Sequence, residues 1–336
     1  MKISSLIIIL AICNMSLSSF LSDNQNKHQL TKLKTIFEKF IHTFEKIYDS
    51  VEERDARFII FADNVLTHLP ELLTEDTLKF SPYLDLTENE FKNQFLSKVT
   101  IGNRSDIKVF KPSTFGDDPE NFDWRSKNVV TPVKNQGHCG SCWAFSTVGN
   151  IESQHLIKRG GDPVQYSEQQ LVDCDRGGES EGCNGGDMVD AFRYLIRVGG
   201  IAKQSVYPYT AKNGVCKFAS LLISESLSDI VQIAKDEEEM RKALLEVGPL
   251  SVALDASSLQ VYKQGSIIRQ TSKCGQTEDF LNHAVVIVGY GVENGVKFWI
   301  AKNSWGTSFG DQGYFRIERG NNTCGISLDV SSSILK

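Results

Sequence analysis

The sequence predicts an α+β fold of two lobes, one helical and one strand-rich, behind a helical leader. Three observations carry this. Apolar residues recur at helical spacing between Ile36 and Val65, further helical patterns follow Cys142 and Met188, and alternating strand patterns dominate from about Gly248 onward. At 336 residues and 40% hydrophobic content the chain can bury a substantial core. It carries no repeat, no low-complexity tract and no long block of like charge.

The N-terminal run Leu6-Ile7-Ile8-Ile9-Leu10-Ala11-Ile12, behind Lys2 and before small polar residues, reads as a secretory signal over residues 1–19. It is too short and wrongly flanked for a transmembrane anchor. Residues 20–117 form the leader. Ile36, Phe37, Phe40, Ile41, Phe44 and Ile47 predict one helix. Glu53, Arg57, Phe58, Phe61, Asn64 and Val65 predict a second, which Pro70 should end near Leu69. Lys and Arg number 13 against 16 Asp and Glu in residues 20–117, and 22 against 26 in residues 118–336. Two parts of like net charge are not held together by bulk attraction. Apolar burial and local ion pairs must do so, and acid that protonates such pairs should release the leader.

Residues 118–336 begin with a helical half. The helix opened by Cys142 runs through Val148, Ile151, Glu152 and Leu156, and Lys158-Arg159-Gly160-Gly161 ends it. A second spans Met188–Val198 and stops at Gly199-Gly200. Strands are expected at residues 250–254, 284–289, 297–301 and 313–319. A helical lobe and a β lobe leave a cleft between them.

The chemistry centres on Gln136-Gly137-His138-Cys139-Gly140-Ser141-Cys142-Trp143-Ala144-Phe145-Ser146. A thiol that opens an amphipathic helix sits where a cysteine pKa falls, and the thiolate is the nucleophile. His283 lies 141 residues further on, at the head of a valine-rich strand pattern, and Asn303 closes the next one before Ser304-Trp305-Gly306. If the two strands form a hairpin centred on Glu293, His283 and Asn303 stand opposite each other; a tight turn at Asn294-Gly295 shifts that register. His283 would hold Cys142 as a thiolate–imidazolium pair and protonate the leaving amine, and Asn303 would orient the ring. The competing reading makes Cys139-Gly140-Ser141-Cys142 a redox or zinc site. No second Cys-x-x-Cys or paired His accompanies it, so no metal or cofactor is expected.

Without the cysteine of the signal, seven cysteines remain, so six can pair and one stays free. Six allow fifteen connectivities.

These segments resemble the papain family of cysteine proteases, cathepsin L-like members in particular. The resemblance spans nearly the whole chain, through Glu53-x3-Arg57-x3-Phe61-x2-Asn64, the Asp85-Leu86-Thr87-Glu88-Asn89-Glu90-Phe91 segment and Pro119-Glu120-Asn121-Phe122-Asp123-Trp124-Arg125. It is looser before Pro119. His68 and Leu72 replace the usual isoleucine and asparagine, and Lys79 and Ser81 stand where glycine and asparagine are usual. The resemblance implies a papain-like two-lobed peptidase behind an inhibitory propeptide. It implies disulfides Cys139–Cys183, Cys174–Cys216 and Cys274–Cys324. It also implies that Gln136 and the Cys142 N–H receive the oxyanion, and that Trp305 roofs the Asn303–His283 bond.

Substrate would lie along the bare backbone of Gly185 and Gly186. By the same carry-over Asp187, Met188, Ala253, Leu281 and, at its floor, Asp329 wall the pocket for the side chain second from the cleaved bond. Two acids there favour a basic side chain beside hydrophobic ones; alternatively both carboxylates point into solvent. No insertion blocks the cleft, which implies an endopeptidase. Expected partners are protein and peptide substrates, the chain's own propeptide and cystatin-type inhibitors. No nucleic acid or membrane anchor is expected, nor an oligomer. The destination is a lysosome-like compartment or the exterior, with sequons at Asn103 and Asn321.

Overall fold

The computed structural model describes residues 24–73, 80–113, 118–271 and 273–336. The expected signal and the junction at residue 117 lie outside them. The chain divides into two compact units, one of residues up to 91 with 259–264, the other of residues 92–258 with 265–336.

The first unit packs α1 (Asn24–Thr43) on α2 (Val51–His68), with a 3-10 turn at Pro70–Leu73. Phe37, Phe40, Phe61, Val65, Leu72, Phe80 and Leu84 are its buried core, and the rings of Phe40 and Phe61 lie 5.0 Å apart. Ser50 caps α2 by accepting from Glu53 N, and the Glu53 carboxylate reaches back to Asp49 N. The helix stops at His68, as Pro70 requires. Its polar residues tie it to the segment that follows. Arg57 bonds Glu90 at 2.9 Å, and Asn64 Nδ2 donates to the carbonyls of Leu84 and Leu86. Asp85 binds Lys46 and the Tyr48 hydroxyl. A reciprocal Thr87–Glu90 cap opens α3 (Glu88–Phe95).

The second unit holds, in chain order, β1 (Lys108–Val109), β2 (Phe122–Asp123), α4 (Cys142–Arg159), α5 (Glu168–Cys174), α6 (Met188–Val198), β3 (Ile201–Ala202), β4 (Ile223–Glu225), β5 (Leu227–Gln232), α7 (Glu237–Glu246), β6 (Leu250–Leu254), β7 (Ile267–Ile268), β8 (His283–Glu293), β9 (Val296–Lys302), β10 (Tyr314–Glu318) and β11 (Val330–Leu335). One sheet runs β1-β5-β11-β6-β8-β9-β10-β7, with β2 also on β8; β3 and β4 pair separately. It is an α+β architecture, as the sequence predicts. Helix α4 is less amphipathic than its sequence suggests, since fourteen of its eighteen residues are buried. Three of its polar side chains are satisfied by the strands beside it or by residues that flank them. Ser146 donates to Val285 O at 2.7 Å, Asn150 to Pro249 O at 2.7 Å and Gln154 to Val247 O at 2.8 Å. Asn150 Oδ1 accepts from Ser333 N in β11.

The β8–β9 hairpin differs from the register expected around Glu293. Its turn is Asn294-Gly295 alone, with Glu293 opposite Val296 and positive φ at both turn residues (50° and 77°). Asn-Gly adopts this mirror-image turn at low cost, and its twist suits the strands. The register shifts again between Ile287 and Gly289, so His283 is not directly opposite Asn303. Disulfides join Cys139–Cys183, Cys174–Cys216 and Cys274–Cys324, and Cys142 is the free cysteine among the described residues.

Phe61→Ala should remove about 3–5 kcal/mol from the first unit. Amide exchange of the full chain should lose protection across α1 and α2 while α4 and β8 keep theirs. Equal loss in both units would show that they unfold as one.

Candidate active site

Cys142 is the first residue of α4 and fully buried. Ser141, before it, makes no side-chain cap; its hydroxyl lies 2.6 Å from that of Tyr209. The helix end is therefore open toward the sulfur. Burial pushes the thiol up, against the Ser97 hydroxyl and the N–H groups of Ala284, Trp143 and Cys142 itself, which favour the thiolate. Ala284, the first of these backbone groups, follows His283 at the head of β8.

His283 is fully buried, and its Nε2 lies 2.8 Å from Asn303 Oδ1. That oxygen also accepts from Ser304 N at 2.8 Å. A backbone N–H can only donate, so the amide is oriented with its oxygen inward and His283 Nε2 must carry the ring proton. The other nitrogen, Nδ1, keeps its lone pair and has no partner among the described residues. Burial pulls the imidazole down to about 4, although the bond to Asn303 opposes this. The ring of Trp305 lies over that of His283 at 4.6 Å. Gln136 is locked from three sides. Its N–H donates to Ser304 O, its Oε1 accepts from Ser304 Oγ at 2.7 Å, and its Nε2 donates to Cys139 O at 3.0 Å. The second amide hydrogen of Gln136 remains available.

Residues 97–104 run as an arm along this site; the sequence predicts an inhibitory leader crossing the cleft but does not single out these residues for it. Ser97 Oγ lies 3.6 Å from Cys142 Sγ and donates to Gly140 O. Ser97 N and Val99 N donate to the carbonyls of Asn282 and Leu281, and Lys98 bridges to Gly185 in parallel. A Cβ on Gly185 would stand 2.4 Å from Lys98 O, so only glycine admits this backbone approach. A Cβ on Gly186 would stand 2.5 Å from the Trp143 ring. Val99 packs into the cluster that contains Met188, Ala253 and Leu281. Asp187 and Asp329, at 0% and 1% exposure, are not in solvent. Asp187 caps α6 through Val189 N and also accepts from Gly102 N. Arg104 reaches both acids, Asp187 at 2.6 Å and Asp329 at 3.2 Å.

A cysteine that opens a buried helix, and a buried histidine with one ring nitrogen held by an amide oxygen, are the groups on which the comparisons bear. Residues 118–334 match the papain family cysteine protease family. The chain belongs to that family. Viral cathepsin of Choristoneura fumiferana defective polyhedrosis virus is 40% identical over 313 residues, covering 91% of this chain and 93% of that one. Cysteine proteinase 15A of Pisum sativum is 38% identical, with 92% and 88% covered. Digestive procathepsin L2 from Tenebrio molitor larval midgut superposes with a TM-score of 0.81 at 35% identity, covering 90% of this chain and all of that one. Recombinant stem bromelain precursor gives 0.76 and 32%, with 90% and 99% covered. The protein is thus a papain-family, cathepsin L-like cysteine endopeptidase zymogen that its own propeptide inhibits.

Behind the site of this peptidase lies a buried ion cluster. Lys134 bonds Glu152 and Glu168, each at 2.6 Å, and Lys302 donates to Thr131. Lys134, Glu152, Glu168 and Lys302 share one small cavity with Asn303 and Ser304. Burial pushes Glu168 up to about 7 although Lys134 opposes it. A carboxyl protonated more readily folded than unfolded takes up a proton on folding, so stability rises as pH falls through about 7 toward the ordinary carboxylate range. Lys134→Met leaves both carboxylates buried without their lysine and should cost about 3–5 kcal/mol at pH 7. Denaturant unfolding should find that loss shrinking by pH 5. A loss independent of pH would assign it to packing instead.

Proposed function

We propose that Cys142 is the nucleophile and His283 its base, with Asn303 holding the ring under Trp305. The observation that supports this best is the fixed tautomer of His283. Its proton sits on Nε2 toward Asn303, so Nδ1 is the basic nitrogen. In the proposed reaction the Cys142 proton passes to Nδ1 and the sulfur attacks the peptide carbonyl carbon. The negative charge on its oxygen meets the Cys142 N–H and the remaining Gln136 amide hydrogen. Collapse breaks the C–N bond, and the imidazolium gives its proton to the leaving amine. Water, deprotonated by His283, then hydrolyses the thioester and returns the free thiol and a carboxylic acid.

The covered form described above holds both groups neutral, because burial raises the thiol and lowers the imidazole. Departure of the arm readmits water and allows the ion pair to form. We take residues 1–19 as signal, 20–117 as propeptide and 118–336 as the mature peptidase, working as a monomer in a lysosome-like compartment or outside the cell. Cystatin-type proteins suit the open cleft as inhibitors. Among the described residues no helix is long and apolar enough to cross a membrane. Asp187 and Asp329 favour a basic side chain in the pocket they line with Met188, Ala253 and Leu281, through direct charge pairing.

Active-site titration of acid-activated enzyme with an epoxide thiol-protease inhibitor should label Cys142 alone, in step with lost peptide hydrolysis. His283→Ala should abolish both, and Gln136→Ala should lower kcat about 10²–10³-fold. An unlabelled Cys142 after propeptide removal would indicate a silent peptide-binding protein. A substrate library varying only the second residue before the cleaved bond should favour Arg over Ala; no gain would remove the acidic-pocket reading.

A further inference from the structure

The two acids form more than a pocket wall. Asp187 and Asp329 come from the cap of α6 and the approach to β11, and both are wholly buried. Buried carboxylates are retained when paired with a cation. Each has one here, and it is the same one. Arg104 Nη2 contacts both oxygens of Asp187 and one of Asp329, with the guanidinium side chain 9% exposed. The match is incomplete. Asp329 Oδ2 and Arg104 Nε and Nη1 have no partners among the described residues. A planar, forked donor can satisfy two acids at once, which an ammonium point charge does less well.

We infer that Asp187 and Asp329 form a guanidinium receptor, and that the propeptide's Arg104 is its resident ligand in the zymogen. This rests on the pocket reading above and extends it: the two carboxylates that would select a basic substrate side chain also latch the inhibitory arm. The latch sits next to the anchoring bond from Gly102 N to Asp187, so loss of the guanidinium loosens the arm where it crosses the site. Acid should open it. Burial raises Asp329 to about 6, with Asp187 adding to the rise while Arg104 and Lys235 oppose it. Asp190 and Arg193 pair with each other beside Gly102, and Arg193 also pairs with Asp106. Above about pH 6 Asp329 is charged and pairs with Arg104; below it that pair is lost.

The test is amide exchange of the full-length zymogen, read as protection factors at Val99 and Gly102 between pH 5 and pH 7.5, which needs no catalytic activity. Wild type should lose protection as pH falls through about 6. Arg104→Met and Asp329→Asn should each lower protection at pH 7.5 by roughly 10- to 100-fold, and flatten the pH dependence. Their double variant should lose no more than the larger single, because they remove one interaction. Arg104→Lys should lie between, and unchanged protection in α4 and β8 shows that the variants fold. Wild-type protection in Arg104→Met would overturn the latch. A mature enzyme that keeps an Asp329-dependent preference for Arg in that case leaves the pocket reading standing. Lost preference for Arg in wild type, with the latch effects present, sinks the pocket reading alone.

Discussion

Almost everything in the second unit depends on burying α4 on nearly all of its faces. A helix so enclosed cannot rely on apolar contact alone, because it carries Ser146, Asn150, Glu152 and Gln154 into the interior. Each unpaired polar group there would cost about 1–3 kcal/mol. The strands β6, β8 and β11 or their flanking residues supply the partners of Ser146, Asn150 and Gln154, so the same hydrogen bonds that satisfy the helix also fix it against the sheet. Glu152 accepts instead from Thr131, Lys134 and Tyr166 N. This sets the position of Cys142. The thiol sits at the helix end that meets the head of β8, within reach of groups from both lobes.

Desolvation then decides the chemical state of that meeting point. In the covered form it dominates every local effect that favours a thiolate, and it keeps His283 neutral as well. The arm lays backbone along Gly185, Leu281 and Asn282, and its Ser97 hydroxyl reaches to 3.6 Å from the Cys142 sulfur. The parts of the chain before and after residue 117 carry like net charge, so attachment must be local. Backbone pairing along the arm supplies one part and the buried Arg104 the other.

How much of this was legible in the sequence follows from the range of the forces involved. Helix α6 could be bounded from Met188 and Gly199, and α2 from Pro70, because the signals lie within the element. The β8–β9 register could not be set from a sum of residue numbers. A bulge near Val288 and a two-residue turn change it, and both are settled by local backbone strain and twist. The juxtaposition of His283 with Asn303 survives because a side chain spans the offset. The state of Asp187 and Asp329 was illegible for a different reason. Sequence left them poised between solvent and pocket, since nothing near either residue names a partner. Arg104 lies 83 residues before one and 225 before the other, inside a segment whose local pattern is a glycosylation sequon. Ser97 was missed likewise, as a serine in a loop carries no signal of what it will face.

The two acids are not equivalent, and the difference separates structure from selectivity. Asp187 serves three donors at once: Val189 N at the start of α6, Gly102 N on the arm and Arg104. Losing its carboxylate uncaps a helix, a cost of about 0.5–2 kcal/mol that would be present in the mature enzyme too. Asp329 has no such duty. Its carboxylate accepts only from Arg104 among the described residues and leaves one oxygen unpaired. A buried acid that makes no contribution to its own element is stable only while a cation faces it or a proton neutralises it. In the pocket proposed above, a basic substrate side chain and protonation are the two ways to meet that demand once the arm has left. The proposed selectivity for a cation should therefore weaken as acid supplies the second.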